Sequence, residues 1–392
     1  AILAEALDKA SKLEATHLTF WVFFKSAPRE TKNMLINMIL HYNGIKPEWL
    51  KAEGIFAKQM HGCRGLELTT IFELNVLMNR IDTDVNWEAE RQHREYPVLV
   101  DIEYDEVLAN CKNLFSDAKA EGKRAFKHTF QDYWDQRTLL MPNGSVHSQH
   151  SDQIQIAKSL NYRLRNKKGV FSTMGEIAHH EWVGRPPQIH AYTSTKYEWG
   201  KVRALYGCDI TSHLHADFGL NHCEESFPSY VPTGSRATEK YVSSVMNNLK
   251  QHIPFCYDYD DFNSQHSVTS MKAVIDAWLA VYGGDITEEQ HSSVIWTRDS
   301  LDEMYVHNSY KDEVYKANGT LFSGWRLTAF INTALNYAYL ASAGIDRLTS
   351  YSLHNGDDVF AAVNTFGQVQ ELLNKAKGLN IRAQVSKMNI GT

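Results

Sequence analysis

Residues 351–363 read Tyr-Ser-Leu-His-Asn-Gly-Asp-Asp-Val-Phe-Ala-Ala-Val, two short apolar runs on either side of Asn355-Gly356-Asp357-Asp358. Asn-Gly between strand-like runs is a strong short-range signal for a tight β-hairpin, so the spacing predicts two antiparallel strands with Asp357 and Asp358 at the tip. Like charges that close repel unless a cation offsets them, and hard carboxylate oxygens suit Mg²⁺. A solvated turn uses the same residue types. Taken alone, the triplet favours that plainer reading.

Two further segments change the balance. Ile253-Pro254-Phe255-Cys256-Tyr257 runs directly into Asp258, Asp260 and Asp261, which predicts a short strand over 255–258 ending in carboxylates. Brought beside the hairpin, these acids could hold two metals ~4 Å apart for in-line phosphoryl transfer. Between them, Ser323-Gly324 precedes Thr328, Asn332 and Asn336, a polar stripe at i, i+4 and i+8. It lies on a predicted helix over 328–341 that otherwise carries Phe330, Ile331, Leu335 and Leu340. Such a stripe either lines a site, where Thr and Asn can hydrogen-bond a sugar hydroxyl, or is a solvated face.

The remaining chain sets bounds. With 392 residues and 43% hydrophobic content it can bury a sizeable core, which excludes a disordered tail, a peptide hormone and a collagen-like rod. Five cysteines, an odd number without a C-x-x-C pair, argue for free thiols in a reducing compartment. No apolar run reaches ~18 residues and the start lacks a signal peptide's basic and apolar regions, so neither secretion nor membrane spanning is expected. The absence of an initiating Met and the abrupt end suggest a piece of something longer. Net charge is −6, yet residues 158–203 hold nine basic against three acidic residues, a local +6 that leaves −12 elsewhere. That pattern is either a polyanion track or a solvated basic face.

Helical periodicity is expected over 1–12, 31–41, 69–78, 105–120, 151–166, 239–249, 268–282 and 368–377, with Asn166-Lys167-Lys168-Gly169 and Gly378 as stops. Pro142-Asn143-Gly144-Ser145 marks a turn. Lys201 to Tyr206 alternates as a strand that would set Lys201 and Arg203 on one face. Strands carrying acids alternate with helices, so the expected class is α+β. His213, His215, His222 and Cys223, with Cys208 nearby, raise a zinc alternative, but their spacing matches no usual finger and structural histidines are the preferred reading. His266 and His354 are expected to be hydrogen-bonded scaffold.

In order and approximate spacing, Asp258, then Ser323-Gly324 with Thr328 and Asn332, then Gly356-Asp357-Asp358 resemble motifs A, B and C of viral RNA-dependent RNA polymerases. The fuller wording Asp258-Tyr-Asp-Asp-Phe-Asn-Ser-Gln-His266, Ser323-Gly-Trp-Arg-Leu-Thr-Ala-Phe-Ile-Asn332 and His354-Asn-Gly-Asp-Asp358 is similar to the totivirus group of double-stranded RNA viruses. Trp134 to Arg137, Pro142 to Ser145 and Gly200-Lys-Val-Arg-Ala-Leu-Tyr206 resemble further segments of that group, and Leu77-Met-Asn-Arg80 is a weaker match.

The resemblance implies a right-hand polymerase fold: a helical N-terminal extension over 1–129, fingers over 130–254, and a palm over 255–392 with a fingers insertion around 283–320. The chain would stop before motif E and the thumb. Asp258, Asp357 and Asp358 would bind two Mg²⁺, with Mn²⁺ as a substitute. Lys201 and Arg203, joined by Lys196, would contact the triphosphate. Asn263, Ser323, Gly324, Thr328 and Asn332 would bind the nucleotide, Asn263 standing where related enzymes carry an Asp. Gly144 and Ser145 would meet the template, and Lys387 would protonate pyrophosphate.

Template RNA, nascent RNA, nucleoside triphosphates and a viral capsid protein are the implied partners. The implied location is the virion interior and the host cytoplasm, with no membrane. Two rivals stand beside this reading: a reverse transcriptase-like polymerase and a non-catalytic, capsid-associated RNA-binding protein.

Overall fold

The computed structural model describes residues 21–41, 85–198 and 201–391. The helices expected over 1–12 and 69–78, and the weaker match at Leu77 to Arg80, lie outside these residues. Trp87–Ser194 with Leu205–Thr392 forms one compact unit; Ala1–Asn86 with Thr195–Ala204 forms another, to which the helix Arg29–His41 belongs.

In the larger unit, helix α1 (Tyr104–Ala120) buries Val107, Cys111, Leu114, Phe115 and Ala118. Their spacing of three and four puts them on one face. That face packs against α3 (Val268–Tyr282) and α5 (Thr328–Ser342), two helices apolar on most sides. Full burial of a side chain such as Leu114 or Phe115 stabilises the fold by about 1.5–3 kcal/mol each. Ser267 caps α3 by accepting from the Ser270 amide, and a Thr287/Gln290 capping box opens α4 (Glu288–Asp299). A second core gathers Phe130, Tyr133, Trp134, Phe171, Trp182 and Phe218; Phe218 lies on α2 (Ile210–Gly219), which packs on α4.

The described residues form two four-stranded sheets. One has the order β2-β1-β4-β5, from β1 (Ile189–Glu198), β2 (Lys201–Cys208), β4 (Met304–Asn308) and β5 (Glu313–Lys316), with β1 and β4 parallel. The other has the order β6-β7-β3-β8, from β3 (Ile253–Tyr257), β6 (Tyr351–Asn355), β7 (Asp358–Val363) and β8 (Asn389–Ile390), and is antiparallel. Helix α6 (Phe366–Gly378) follows β7.

The α+β class is as the sequence suggests, and the helices over 105–120, 239–249, 268–282, 328–341 and 368–377 and the strand over 201–206 fall within a few residues of expectation. One segment differs. The helix expected over 151–166 ends at Ser159, and Asn166-Lys167-Lys168-Gly169 starts a helix instead of stopping one. The Asn166 side chain accepts from the Gly169 amide at 2.9 Å, so the residue type that can end a helix acts here as an N-cap. Among the described residues Cys111, Cys208, Cys223 and Cys256 are not joined in disulfides.

Candidate active site

The second sheet brings the acidic segments together. β3 and β7 are antiparallel with Ile253 opposite Val363 and Tyr257 opposite Val359. Asp258, one residue beyond β3, therefore falls level with Asp358, which pairs with Asn355 across the β6–β7 turn. Asp357 occupies the turn, after Gly356 at φ +61°. Glycine adopts that left-handed conformation without the Cβ cost other residues meet. Three carboxylates thus share one end of one sheet.

On the other flank of β3, Gln384 donates its amide to the Asp258 carbonyl (2.8 Å) and Tyr259 bridges to Ala383. Fully buried Gln265 clamps the same strip: its Nε2 donates to the carbonyls of Asp260 (2.8 Å) and Arg382 (3.0 Å), and its Oε1 accepts from the Arg382 amide (2.8 Å). The chain then delivers Lys387, whose Nζ stands 3.7 Å from Asp258 Oδ1.

Helix α5 lies beneath. Asn332 and Asn336 are buried, so the stripe is not a solvated face. Asn332 Nδ2 donates to Asn263 Oδ1 (2.8 Å) and its Oδ1 meets His266 Nε2 (2.9 Å). Asn336 Nδ2 donates to the carbonyls of Gly356 and Asp358 (both 3.0 Å), while its Oδ1 accepts from the Tyr259 hydroxyl (3.1 Å) and lies 2.9 Å from His354 Nδ1. Thr333 Oγ1 accepts from the Gly356 amide at 2.9 Å. Burial pushes His354 down to about 3 and His266 to about 4, the latter against the raising effect of its Asn332 bond. Both are neutral scaffold at physiological pH. In the sequence Asn336 is legible only as part of a stripe, through its i+8 spacing, and nothing there singles out Tyr259, Gln265 or Thr333.

The loop before α5 is tightly fixed. Leu321 donates its amide to the Asn263 carbonyl (2.8 Å) and Thr320 donates to that of His266 (2.7 Å). The Thr328 hydroxyl sits 2.8 Å from the carbonyls of both Phe322 and Trp325, so its proton is committed inside the loop. Ser323 Oγ accepts from the Tyr206 amide at 3.4 Å, and Gly324 bridges to Gly207 of β2. Gly144 and Ser145 adjoin this region: the Lys167 amide donates to the Gly144 carbonyl (3.0 Å), and a Cβ on Gly207 would lie 3.3 Å from Ser145 Oγ. Next to Ser145 opens a cavity of about 390 Å³ lined by Ser148, Lys158, Arg165 and Tyr192 among others. Lys201 and Arg203 lie two residues apart on β2, and Lys196 lies on β1; all three belong to the smaller unit.

The donor set of Asp258, Asp357 and Asp358 offers hard oxygens of the kind Mg²⁺ prefers, so these residues fit a divalent cation. They are neighbours through sheet register and do not form a preformed cage: no group of three or more His, Cys, Asp or Glu gathered to hold a metal occurs among the described residues.

The histidines of the zinc alternative are engaged otherwise. Buried His215 meets Ser293 Oγ and the Trp182 carbonyl, each at 3.2 Å, and stacks on Trp296. His213 Nδ1 lies 3.4 Å from Lys167 Nζ, and His222 lies 3.5 Å from Glu225. Among the described residues no helix is long and apolar enough to cross a membrane.

A family model for viral RNA-directed RNA-polymerase matches residues 12–392. The probable RNA-directed RNA polymerase of Saccharomyces cerevisiae virus L-BC is 50% identical over 392 residues, all of this chain and 26% of the relative. That of Saccharomyces cerevisiae virus L-A is 37% identical over 347 residues, 87% of this chain and 23% of the relative, and that of Helminthosporium victoriae virus-190S is 27% identical over 335 residues, 81% and 38% respectively. The chain thus spans about a quarter of the length of the two yeast-virus relatives. With one family model covering nearly its whole length, the chain belongs to the viral RNA-directed RNA polymerases.

Proposed function

We propose that this chain supplies the fingers and palm of a right-hand polymerase that copies RNA for a double-stranded RNA virus, in replication and in transcription. The observation that carries the reading is the antiparallel register of β3 and β7, which levels Asp258 with the Asp357-Asp358 turn in a member of this family. Residues 255–392 act as palm, 130–254 and an insertion around 283–320 as fingers, and 1–129 as an N-terminal extension. Template and nascent RNA and nucleoside triphosphates are the ligands, a capsid protein is the partner, and the virion interior within the host cytoplasm is the place of action.

The reaction is attack of a 3′-hydroxyl on the α-phosphate of a template-paired nucleoside triphosphate, with pyrophosphate leaving. Asp258 and Asp357, assisted by Asp358, would hold two Mg²⁺ or Mn²⁺, which when bound lower the pKa of the attacking hydroxyl and offset charge on the leaving group. Asn263 and Asn332 orient the sugar. Thr328, its proton already committed to loop carbonyls, offers the sugar only lone pairs. Ser323 and Gly324 support the nascent base pair, and Gly144 with Ser145 guides the template strand. Lys201, Arg203 and Lys196 neutralise the triphosphate, Arg by bidentate hydrogen bonding and Lys as a point charge. Lys387, beside Asp258, supplies a proton to pyrophosphate. Base pairing reads the sequence, so the protein's own grip on phosphates predicts weak sequence preference and strong salt dependence.

Primer extension by the full-length protein carrying Asp357→Ala tests the reading. Synthesis should be abolished while the fold is retained; undiminished synthesis removes the assigned role.

A further inference from the structure

The catalytic turn has little packing of its own. Asn355, Asp357 and Asp358 are exposed, and a Cβ built on Gly356 would find nothing within 4 Å. Its position is therefore set by polar anchors, and two of these come from one helix. Thr333 Oγ1 accepts the Gly356 N–H (2.9 Å), and Asn336 Nδ2 donates to the carbonyls of Gly356 and Asp358 (both 3.0 Å).

The Asn336 amide has a single possible orientation. Backbone carbonyls only accept, so Nδ2 must face them and Oδ1 must face the Tyr259 hydroxyl (3.1 Å) and His354 Nδ1 (2.9 Å). His354 then carries its proton on Nδ1, leaving Nε2 to accept from Ser352 Oγ at 3.1 Å. One fully buried side chain uses both donors and both lone pairs to tie together the residue after Asp258, the strand before the turn and the two carbonyls that bracket Asp357.

We propose that Asn336, with Thr333, is a positioning residue: the pair holds Gly356 by its N–H and by its C=O and so fixes where Asp357 and Asp358 stand relative to Asp258. This rests on the reading of those carboxylates given above. Two groups that must share divalent ions need their separation held within about 0.5 Å, and here that separation is set by hydrogen bonds in place of packing.

The test uses the full-length protein with Thr333→Val, which keeps side-chain shape and removes the acceptor, and Asn336→Leu, which removes all four bonds. Mn²⁺ alone is titrated and its free fraction followed by electron paramagnetic resonance, beside thermal unfolding and steady-state primer extension. Thr333→Val should weaken Mn²⁺ binding and lower kcat by about fivefold each, as expected for loss of its one hydrogen bond to the turn, the other running to the Ala329 carbonyl within the helix, with the nucleotide KM within about twofold. Asn336→Leu should cost more than tenfold in both. Should Mn²⁺ affinity and kcat match the parent protein in Thr333→Val and in every folded fraction of Asn336→Leu, with only the melting temperature lowered, the two residues are structural and the proposal falls. Asp357→Ala separates the two levels: full synthesis in that variant overturns the catalytic reading itself, whereas loss of synthesis there with unaffected Thr333 and Asn336 variants overturns the positioning role alone.

Discussion

Gly324→Ala should damage the protein through backbone collision. A Cβ on Gly324 would lie 2.3 Å from the Tyr206 carbonyl oxygen, 3.0 Å from its carbon and 3.2 Å from Gly207 Cα. Non-bonded carbon contacts are optimal near about 3.5–4.0 Å, so all three are overlaps, and every obstructing atom is main chain. Relief requires the loop to part from β2, which breaks the Gly207–Gly324 bridge and draws Ser323 Oγ away from the Tyr206 amide. Overpacking costs about 1–3 kcal/mol and a lost hydrogen bond about 1 kcal/mol, or about 2–4 kcal/mol together.

Two glycines calibrate the assay. A Cβ on Gly175 meets nothing within 4 Å, so Gly175→Ala should stay within about 0.5 kcal/mol. Gly356→Ala also has open space but a φ of +61°, for a conformational cost of about 1–2 kcal/mol. Thermal unfolding of the full-length variants should rank Gly324 above Gly356 above Gly175. RNA synthesis by Gly324→Ala should fall more than about tenfold because Ser323 moves with the loop. A Gly324→Ala protein indistinguishable from Gly175→Ala in both assays would refute the argument.

Three further outcomes follow from other residues. Lys387→Gln removes a partly exposed cation 3.7 Å from Asp258; stability should change by less than about 1 kcal/mol, while the single-turnover rate of nucleotide addition drops by at least about a hundredfold if Lys387 is the acid, and an unchanged rate removes it from that role. Arg326 contacts Asp217 (2.5 Å) and Glu224 (2.6 Å), and Tyr133 donates to Asp217 (2.9 Å). Arg326→Met should cost about 3–5 kcal/mol by stranding buried charge, read by denaturant unfolding, and a loss below 1 kcal/mol would contradict it. Burial pushes His213, His215 and His354 down to about 3 and His266 to about 4. Because the unfolded chain takes up these protons near the ordinary histidine value and the folded chain does not, stability is full above about pH 6.5 and declines as pH falls, by about 2 kcal/mol per histidine at pH 5. A melting temperature that stays level from pH 7 to pH 5 would speak against the buried neutral state.

Local patterns carried much of this structure in advance. Asn355-Gly356 encodes its turn directly, and the apolar runs over 268–282 and 328–341 have helical period, so these elements depend on little beyond themselves. Asn166 shows the limit: an Asn three residues before a Gly either ends or begins a helix, and here its side chain caps the Gly169 amide while the Lys167 amide bonds to the distant Gly144 carbonyl. Asn336 was visible as part of a stripe, but its work depends on a pairing 18–22 residues away with the turn and 77 away with Tyr259, which no local period encodes. The closeness of Gly324 to β2 is likewise a tertiary fact, although the glycine itself was conspicuous.

If the proposed function holds, Asp258 and the Asp357-Asp358 turn bind the same divalent ions. Anomalous diffraction from crystals of the full-length protein soaked in Mn²⁺ measures this directly. Manganese peaks are expected at the shared end of β3 and β7, each within coordination distance, about 2.0–2.6 Å, of carboxylate oxygens from both segments. Peaks elsewhere, or carboxylates bound to separate ions with no ligand in common, would contradict it.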